Sequence, residues 1–345
     1  MLKILILSHN FNPDVGGIET NSELLAEAFQ NLGATVHVLT WTKKMAQKQF
    51  PFTVIRNPGI VTIFQEHRWA DVILENNPCL RLSWPNIVIR KPLVIALNTW
   101  VSRIKGYKGT RDRLKLLWLK RAVSVIAVSD ALRREEWPTA AVIQNPYNDQ
   151  LFKIMPGIDK TIPFVFLGRL VSDKGADLAI QAVNTLIQAG LLNGDANQLT
   201  IIGDGPEKEK LHQLVRKNGL EKNVHFTGIL TGEALVTMLN RHRFILVPSS
   251  WEEPYGNVVL EAMACGCIPV ASDGGGLPEA VGDAGLLFKR NNPDDLVRVI
   301  RSTLSDEPKI DCLHNKAVRH LQQHVIGQVA AAYFQKLKDA AETFS

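Results

Sequence analysis

The sequence predicts an α/β protein made of two doubly wound domains. Short apolar runs of strand length alternate with helical patterns along most of the chain, and nearly every run ends in Gly, Pro or polar residues. The alternation lapses in a polar span from Gln144 to Lys160 and then begins again. At 345 residues the chain exceeds one ordinary core and suits two domains. The expected division is 1–150, 151–325 and a last helix over 326–345.

Bulk composition narrows the class of function. A hydrophobic content of 46% and a net charge of +5 fit a globular protein and give no indication of a general nucleic-acid binder. The four cysteines form no C-x-x-C pair and stand at no zinc-like spacing, so reduced thiols in a cytosol are expected. The first apolar run, Ile4 to Leu7, is too short for a signal sequence or a spanning helix, and a cytoplasmic protein is expected.

Leu2 to Ser8 reads as a buried strand. Gly16 and Gly17 then precede a helical pattern whose Leu24, Leu25, Ala28 and Leu32 form the expected buried face, with Gly33 as its stop. Thr35 to Thr40 is the next strand. A Gly-Gly pair between strand and helix suits either a tight turn or close backbone approach to a phosphate. Further strands are expected at Phe52 to Arg56, Asp71 to Leu74, Pro92 to Leu97, Val123 to Val128 and Ala141 to Ile143.

Charge is concentrated in one segment of this half. Between Trp100 and Arg121, Arg103, Lys105, Lys108, Arg111, Arg113, Lys115, Lys120 and Arg121 oppose only Asp112. Trp100, Tyr107, Leu114, Leu117 and Trp118 interleave with these cations. The 100–121 segment suits an anionic membrane surface or an anionic acceptor, or it is a helix with a solvated basic face.

In the second half, Pro163 to Gly168 is a buried strand and Lys174 is expected to open a helix carrying Ala179, Ala182, Val183, Leu186 and Ile187 on its inner face. Arg169 and Lys174 would stand over that helix N-terminus, where two cations and a positive dipole end attract a diphosphate. Strands follow at Leu199 to Gly203, Val224 to Phe226, Phe244 to Pro248 and Cys267 to Ala271. From Asn315 to Phe344 the pattern is helical, with Val318, Leu321, Val325, Val329, Ala332, Tyr333 and Leu337 on one side.

The most informative stretch runs from Ser249 to Gly266. Pro254, Gly256 and Asn257 keep its first part in a loop, Val258 to Cys265 can wind, and Gly266 offers a left-handed stop. Glu253 therefore belongs to the loop and Glu261 to the helix. Backbone N–H groups around Tyr255, Gly256, Asn257 and Val258 would suit hydroxyl oxygens or an anion. Two carboxylates beside such a helix start fit a polyhydroxylated, anionic ligand, and they fit equally a solvated loop acid and a helix-surface acid.

Taken together, GGIE at 16–19, IAVSDALRRE at 126–135, GRLVSDKG at 168–175, GDGPE at 203–207, EPYGNVVLEAMACGCIPVAS at 253–272 and GGGLPEAV at 274–281 cover nearly the whole chain. Their order resembles the retaining glycosyltransferases of family four. The resemblance implies the GT-B fold, two facing Rossmann-like domains with parallel sheets and a C-terminal helix that crosses back to the first domain. It implies transfer of a sugar from a nucleotide-diphosphate sugar to a hydroxyl of a saccharide, lipid or glycoconjugate, with Glu253 on sugar hydroxyls and Glu261 on the ribose. Arg169 and Lys174 match the cations that stabilise the departing diphosphate, and Gly16 and Gly17 match the loop facing the phosphates. Gly203 stands in one of the shared motifs, and base contacts would come from backbone near Gly228 and Ile229.

No acidic cluster at the strand ends demands Mg²⁺, so catalysis without a metal or other cofactor is expected. Many relatives carry a histidine where this chain has Asn98, which can bond a sugar hydroxyl but cannot relay a proton near neutral pH. Asn98 therefore implies a positioning role at that site, or else a catalytically silent nucleotide-sugar-binding regulator or partner subunit. His9, beyond the first strand, is either a compensating group or a satisfied loop residue. A nicotinamide-dependent dehydrogenase is disfavoured, since neither half has the G-x-G-x-x-G spacing.

Overall fold

The computed structural model describes residues 1–14, 16–43, 48–102 and 109–344. The chain forms two compact units, one of Met1–Pro146 with Val325–Ser345 and the other of Tyr147–His324. The boundaries fall at 146/147 and 324/325, so the polar residues from Tyr147 to Lys160 are part of the second unit.

The first unit contains β1 (Lys3–Ser8), α1 (Gly17–Asn31), β2 (Thr35–Thr40), β3 (Thr53–Arg56), α2 (Ile60–Trp69), β4 (Val72–Asn76), α3 (Leu80–Ser83) and α4 (Asn86–Ile89). It continues with β5 (Leu93–Leu97), α5 (Thr110–Leu119), β6 (Ser124–Ala127), α6 (Asp130–Glu136) and β7 (Ala141–Val142). The second unit contains β8 (Ile162–Leu167), a 3₁₀ turn at Ser172–Lys174, α7 (Ala176–Gln188), β9 (Leu199–Ile202), α8 (Lys208–Lys217), β10 (Val224–Gly228) and α9 (Gly232–Asn240). After these come β11 (His242–Val247), α10 (Asn257–Ala264), β12 (Ile268–Ser272), α11 (Leu277–Val281), β13 (Leu286–Phe288), α12 (Pro293–Arg301) and α13 (Glu307–Gln322). The chain then returns to the first unit as α14 (Ile326–Phe344).

Both sheets are parallel, in the orders β3-β2-β1-β4-β5-β6-β7 and β10-β9-β8-β11-β12-β13. The strand order reverses beside β1 in the first sheet and beside β8 in the second. In such sheets the loops leaving the reversal open a crevice at the carboxyl edge, where ligands bind.

Helix faces follow the side chains the strands require. In the first unit Ile4, Ile6, Val36, Val38, Val72, Leu74, Val94, Ala96 and Ile126 pack with Phe29 of α1 and with Val329, Tyr333 and Leu337 of α14. This is why the last helix belongs to the first unit although it is last in sequence.

Two expectations are corrected here. The buried face of α1 is Asn21, Ser22, Leu25, Ala26 and Phe29, with Leu32 largely exposed. Polar Asn21 and Ser22 take inner positions because they hydrogen-bond Asn145 and Ser8 respectively. The expected single helix from Asn315 is instead two, α13 and α14, and Val318 and Ala332 are exposed. The His324 N–H turns back to the Leu321 carbonyl, while the His324 carbonyl accepts the N–H of Tyr147, which ends the first helix.

Candidate active site

In the second unit, the loop after β8 carries Arg169 and Lys174, and the loop after β11 carries Glu253. These strands are neighbours at the reversal, so their loops meet. Lys174 Nζ donates to Glu253 Oε1 at 2.6 Å, and the Ser249 hydroxyl donates to the same oxygen at 2.7 Å. Glu253 is buried and Lys174 half-buried, whereas Arg169 is exposed and makes no ion pair among the described residues. Lys174 lies in the 3₁₀ turn and not in the helix it was expected to open; α7 starts two residues later, at Ala176.

The loops are held by backbone-to-backbone packing that only glycine permits. A Cβ on Gly203, whose φ is +143°, would collide with the Gly168 carbonyl oxygen, and one on Gly175 would collide with that of Pro248. Gly275 and Gly276 lie equally close to the carbonyls of Glu253 and Pro254. The Glu253 carbonyl accepts the N–H of Gly276 at 2.7 Å, fixing this loop from below. Gly203, which stands in a shared motif of the sequence, thus also packs its loop against the one that carries Gly168.

Helix α10 begins at Asn257 and ends before Gly266, whose φ is +78°. Glu261, on its exposed side, is half-buried and has no hydrogen bond or ion pair among the described residues; desolvation pushes its carboxyl up to about 7. Tyr255 turns inward, its phenol within 3.2 Å of His324 Nδ1, and burial pushes its pKa well up. Gly256 and Val258 lie at the loop-to-helix junction, partly exposed. Gly228 ends β10 in a left-handed conformation, and Ile229 after it is exposed.

The first unit has its own polar cluster at the carboxyl edge. Asn98, just past β5, donates through its side-chain amide to Asn76 Oδ1 at the end of β4, and the N–H groups of Asn98 and Thr99 both reach Asn77 Oδ1. Gly16 stands at the start of α1 in extended backbone, with Gly17 as the first helical residue. His9 is exposed, with Nδ1 at 4.0 Å from Cys79 Sγ.

Several residues escaped the sequence reading. Ser249 holds Glu253, Arg290 pairs with Glu252 at 3.2 Å, and Asn76 holds Asn98. Glu75 is wholly buried, accepting the N–H of Cys79 at 2.9 Å and the indole N–H of Trp118 at 2.8 Å, and desolvation pushes its carboxyl up to about 7. The available signal was Glu75-Asn76 at the end of an otherwise apolar strand.

Of the basic segment, Arg103, Lys105, Tyr107 and Lys108 lie outside the described residues. In α5, Trp118 is buried while Leu114 and Leu117 are more than half exposed beside Arg111, Arg113 and Lys120. Among the described residues, no group of three or more His, Cys, Asp and Glu side chains is placed to hold a metal ion. No helix among them is long and apolar enough to cross a membrane.

Residues 149–320 match the family model described as glycosyl transferases group 1. The chain is 24% identical to a phosphatidylinositol N-acetylglucosaminyltransferase chain of Arabidopsis thaliana, over 98% of this chain and 83% of that protein. It is 34% identical to a glycogen synthase of Mycobacterium tuberculosis over 62% of this chain and 49% of that one. Among solved structures, HepE of Anabaena, crystallised with UDP and glucose, superposes with a TM-score of 0.83 over 98% of this chain and 100% of that one, at 22% identity. The two sheets, the loops at their reversals and these likenesses agree: the chain belongs to the group 1 glycosyltransferases of GT-B fold and is a glycosyltransferase.

Proposed function

We propose that the chain transfers a sugar, with retention at the anomeric carbon, from a nucleotide-diphosphate sugar to a hydroxyl of a saccharide or lipid-linked acceptor without a divalent metal. The observation that carries this reading is the ion pair of Lys174 with buried Glu253 at the sheet reversal, with Arg169 on the same loop as Lys174. Negative charge gathers on the diphosphate as its bond to the sugar breaks, and fixed cations in a partly desolvated loop stabilise that charge. Glu253 holds Lys174 in place and offers carboxylate oxygen to sugar hydroxyls. Glu261, on α10 and unpartnered among the described residues, suits a ribose hydroxyl. For retention, the incoming hydroxyl attacks on the face the diphosphate leaves, with a donor phosphate oxygen taking its proton.

The test is a panel of UDP-, GDP- and ADP-sugars, reading thermal stabilisation and released nucleoside diphosphate with and without EDTA. HepE was crystallised with UDP and glucose, so UDP-glucose comes first. EDTA-insensitive release supports the reading; loss of release with EDTA, restored by Mg²⁺, overturns metal independence. The anomeric configuration of the product, read by NMR, decides retention.

A second element is attachment to the inner face of an anionic membrane. Right-handed crossovers from β3 to β4 to β5 to β6 put α2, α3, α4 and α5 on one face of the sheet, opposite α1 and α14. On that face Leu114, Leu117, Ile87 and Val88 are exposed, and Arg121 reaches the Asn86 carbonyl at 3.5 Å, joining α5 to α4. Apolar residues and cations on one face match the boundary of an anionic bilayer. Reversing charge at Arg111, Arg113 and Lys115 should release the protein from vesicles rich in phosphatidylglycerol; unchanged sedimentation overturns this element.

A further inference from the structure

In the first unit a chain of side-chain hydrogen bonds runs in one direction. The Asn76 amide nitrogen donates to the Ile18 carbonyl at 3.1 Å and to the Ser22 hydroxyl at 2.5 Å. A carbonyl only accepts, so this amide cannot be flipped. Ser22 bonds Ser8 at 2.8 Å, and the Ser8 hydroxyl donates to the Asn10 carbonyl at 2.7 Å; Ser8 is thereby the acceptor from Ser22. Asn76 Oδ1 is left needing a donor, and the Asn98 amide nitrogen supplies it.

The consequence falls on the other end of Asn98. Its Oδ1 is buried with no hydrogen-bond partner among the described residues, and the whole residue is only 9% exposed. A buried carbonyl oxygen without a donor is destabilising because it has lost its water and gained no partner, so such a group calls for an explanation. Asn77 Oδ1 pins the Asn98 backbone, and turning the side chain to bring its oxygen to another donor would break the amide bond to Asn76.

We propose that Asn76 is a positioning residue that fixes Asn98 as an acceptor-only group for one hydroxyl of the transferred sugar. This rests on the nucleotide-sugar reading above. An acceptor held in this way rewards a hydroxyl and discriminates against any substituent that cannot donate, because the buried oxygen would then stay unpaired. Histidine at this position would carry a donor or an acceptor by tautomer; here the amide chain settles the polarity without protonation.

The first arm of the test uses UDP-glucose, or the best donor of the panel, and its four monodeoxyfluoro analogues. Fluorine removes the donated proton, and its inductive effect on the chemistry cancels when variants are compared on the same analogue. For one analogue, wild type should favour the hydroxyl at least tenfold more than Asn98→Ala does. Asn76→Ala, in which the Asn98 amide can turn, should lose most of that selectivity. A purely structural Asn76 would slow both donors equally and leave the ratio intact, which overturns the proposal.

The second arm needs no substrate and separates failure here from failure of the nucleotide-sugar reading. In Asn98→Asp a carboxylate oxygen faces Asn76 Oδ1, and protonation restores a donor. Its melting temperature relative to wild type should fall as pH rises from 5 to 8, and this fall should shrink when Asn76→Ala is added. An equal fall in both backgrounds refutes the one-way chain whatever the donor panel shows.

Discussion

Glu75→Gln tests how burial loads the first unit's carboxyl edge. In the fold the Glu75 carboxyl titrates at about 7, against 4.5 for the free side chain, because burial outweighs the hydrogen bonds from Cys79 and Trp118. A raised acid means that the folded state binds more protons than the unfolded one between those values. The stabilising contribution is therefore full below pH 4.5, is lost as pH rises through 7, and is level above. At about 1.36 kcal/mol per pKa unit, the part lost between pH 5 and pH 8 is roughly 2–3 kcal/mol.

The glutamine of this variant cannot titrate, and its misplaced amide donor adds a cost that does not vary with pH in this range. Wild type should thus lose roughly 2–3 kcal/mol relative to Glu75→Gln between pH 5 and pH 8. A chain of two units need not unfold in one step, so the reporter should be amide hydrogen exchange in β4 and β5. A difference between the two proteins that stays constant across this range would refute the assignment of Glu75 as a neutral, buried anchor.

Glu253→Gln keeps the bond from Ser249 but removes the charge facing Lys174; transfer should fall more than about 100-fold with the melting temperature nearly unchanged, and near-normal turnover sinks the role given to Glu253. Replacing Arg169 and Lys174 together by Ala should lower kcat far more than it weakens nucleoside diphosphate binding in calorimetry if their charge acts on the leaving group; equal losses argue for plain binding. Gly203→Ala forces a methyl group onto the Gly168 carbonyl at positive φ. It should cost more than about 2 kcal/mol by denaturant unfolding of the second unit, and a wild-type midpoint would show that the loops do not interlock there.

Much of this was legible without coordinates because the signals are local. Strand after strand ends where the apolar run ends, and Gly266 stops α10 where its lack of a Cβ allows positive φ. The motifs put Arg169 and Lys174 after one strand and Glu253 after another, and those two strands are neighbours in the sheet. Helix faces were less legible: α1 turns Asn21 and Ser22 inward because their partners lie up to 124 residues away, and no periodicity of apolar residues reports a buried hydrogen bond. The break between α13 and α14 likewise depends on Tyr147, which is remote in sequence.

The sequence by itself determined the alternation and the family, since these follow from residue types at fixed spacing and from the order of motifs. Only the tertiary structure decided which groups are partnered. It gave Glu253 to Lys174 and Ser249, left the Glu261 carboxyl and the Asn98 oxygen without partners among the described residues, and sealed Glu75 beneath Trp118. Partnering and desolvation are set by atoms brought together from distant parts of the chain, and on them the charge and polarity of each group depend.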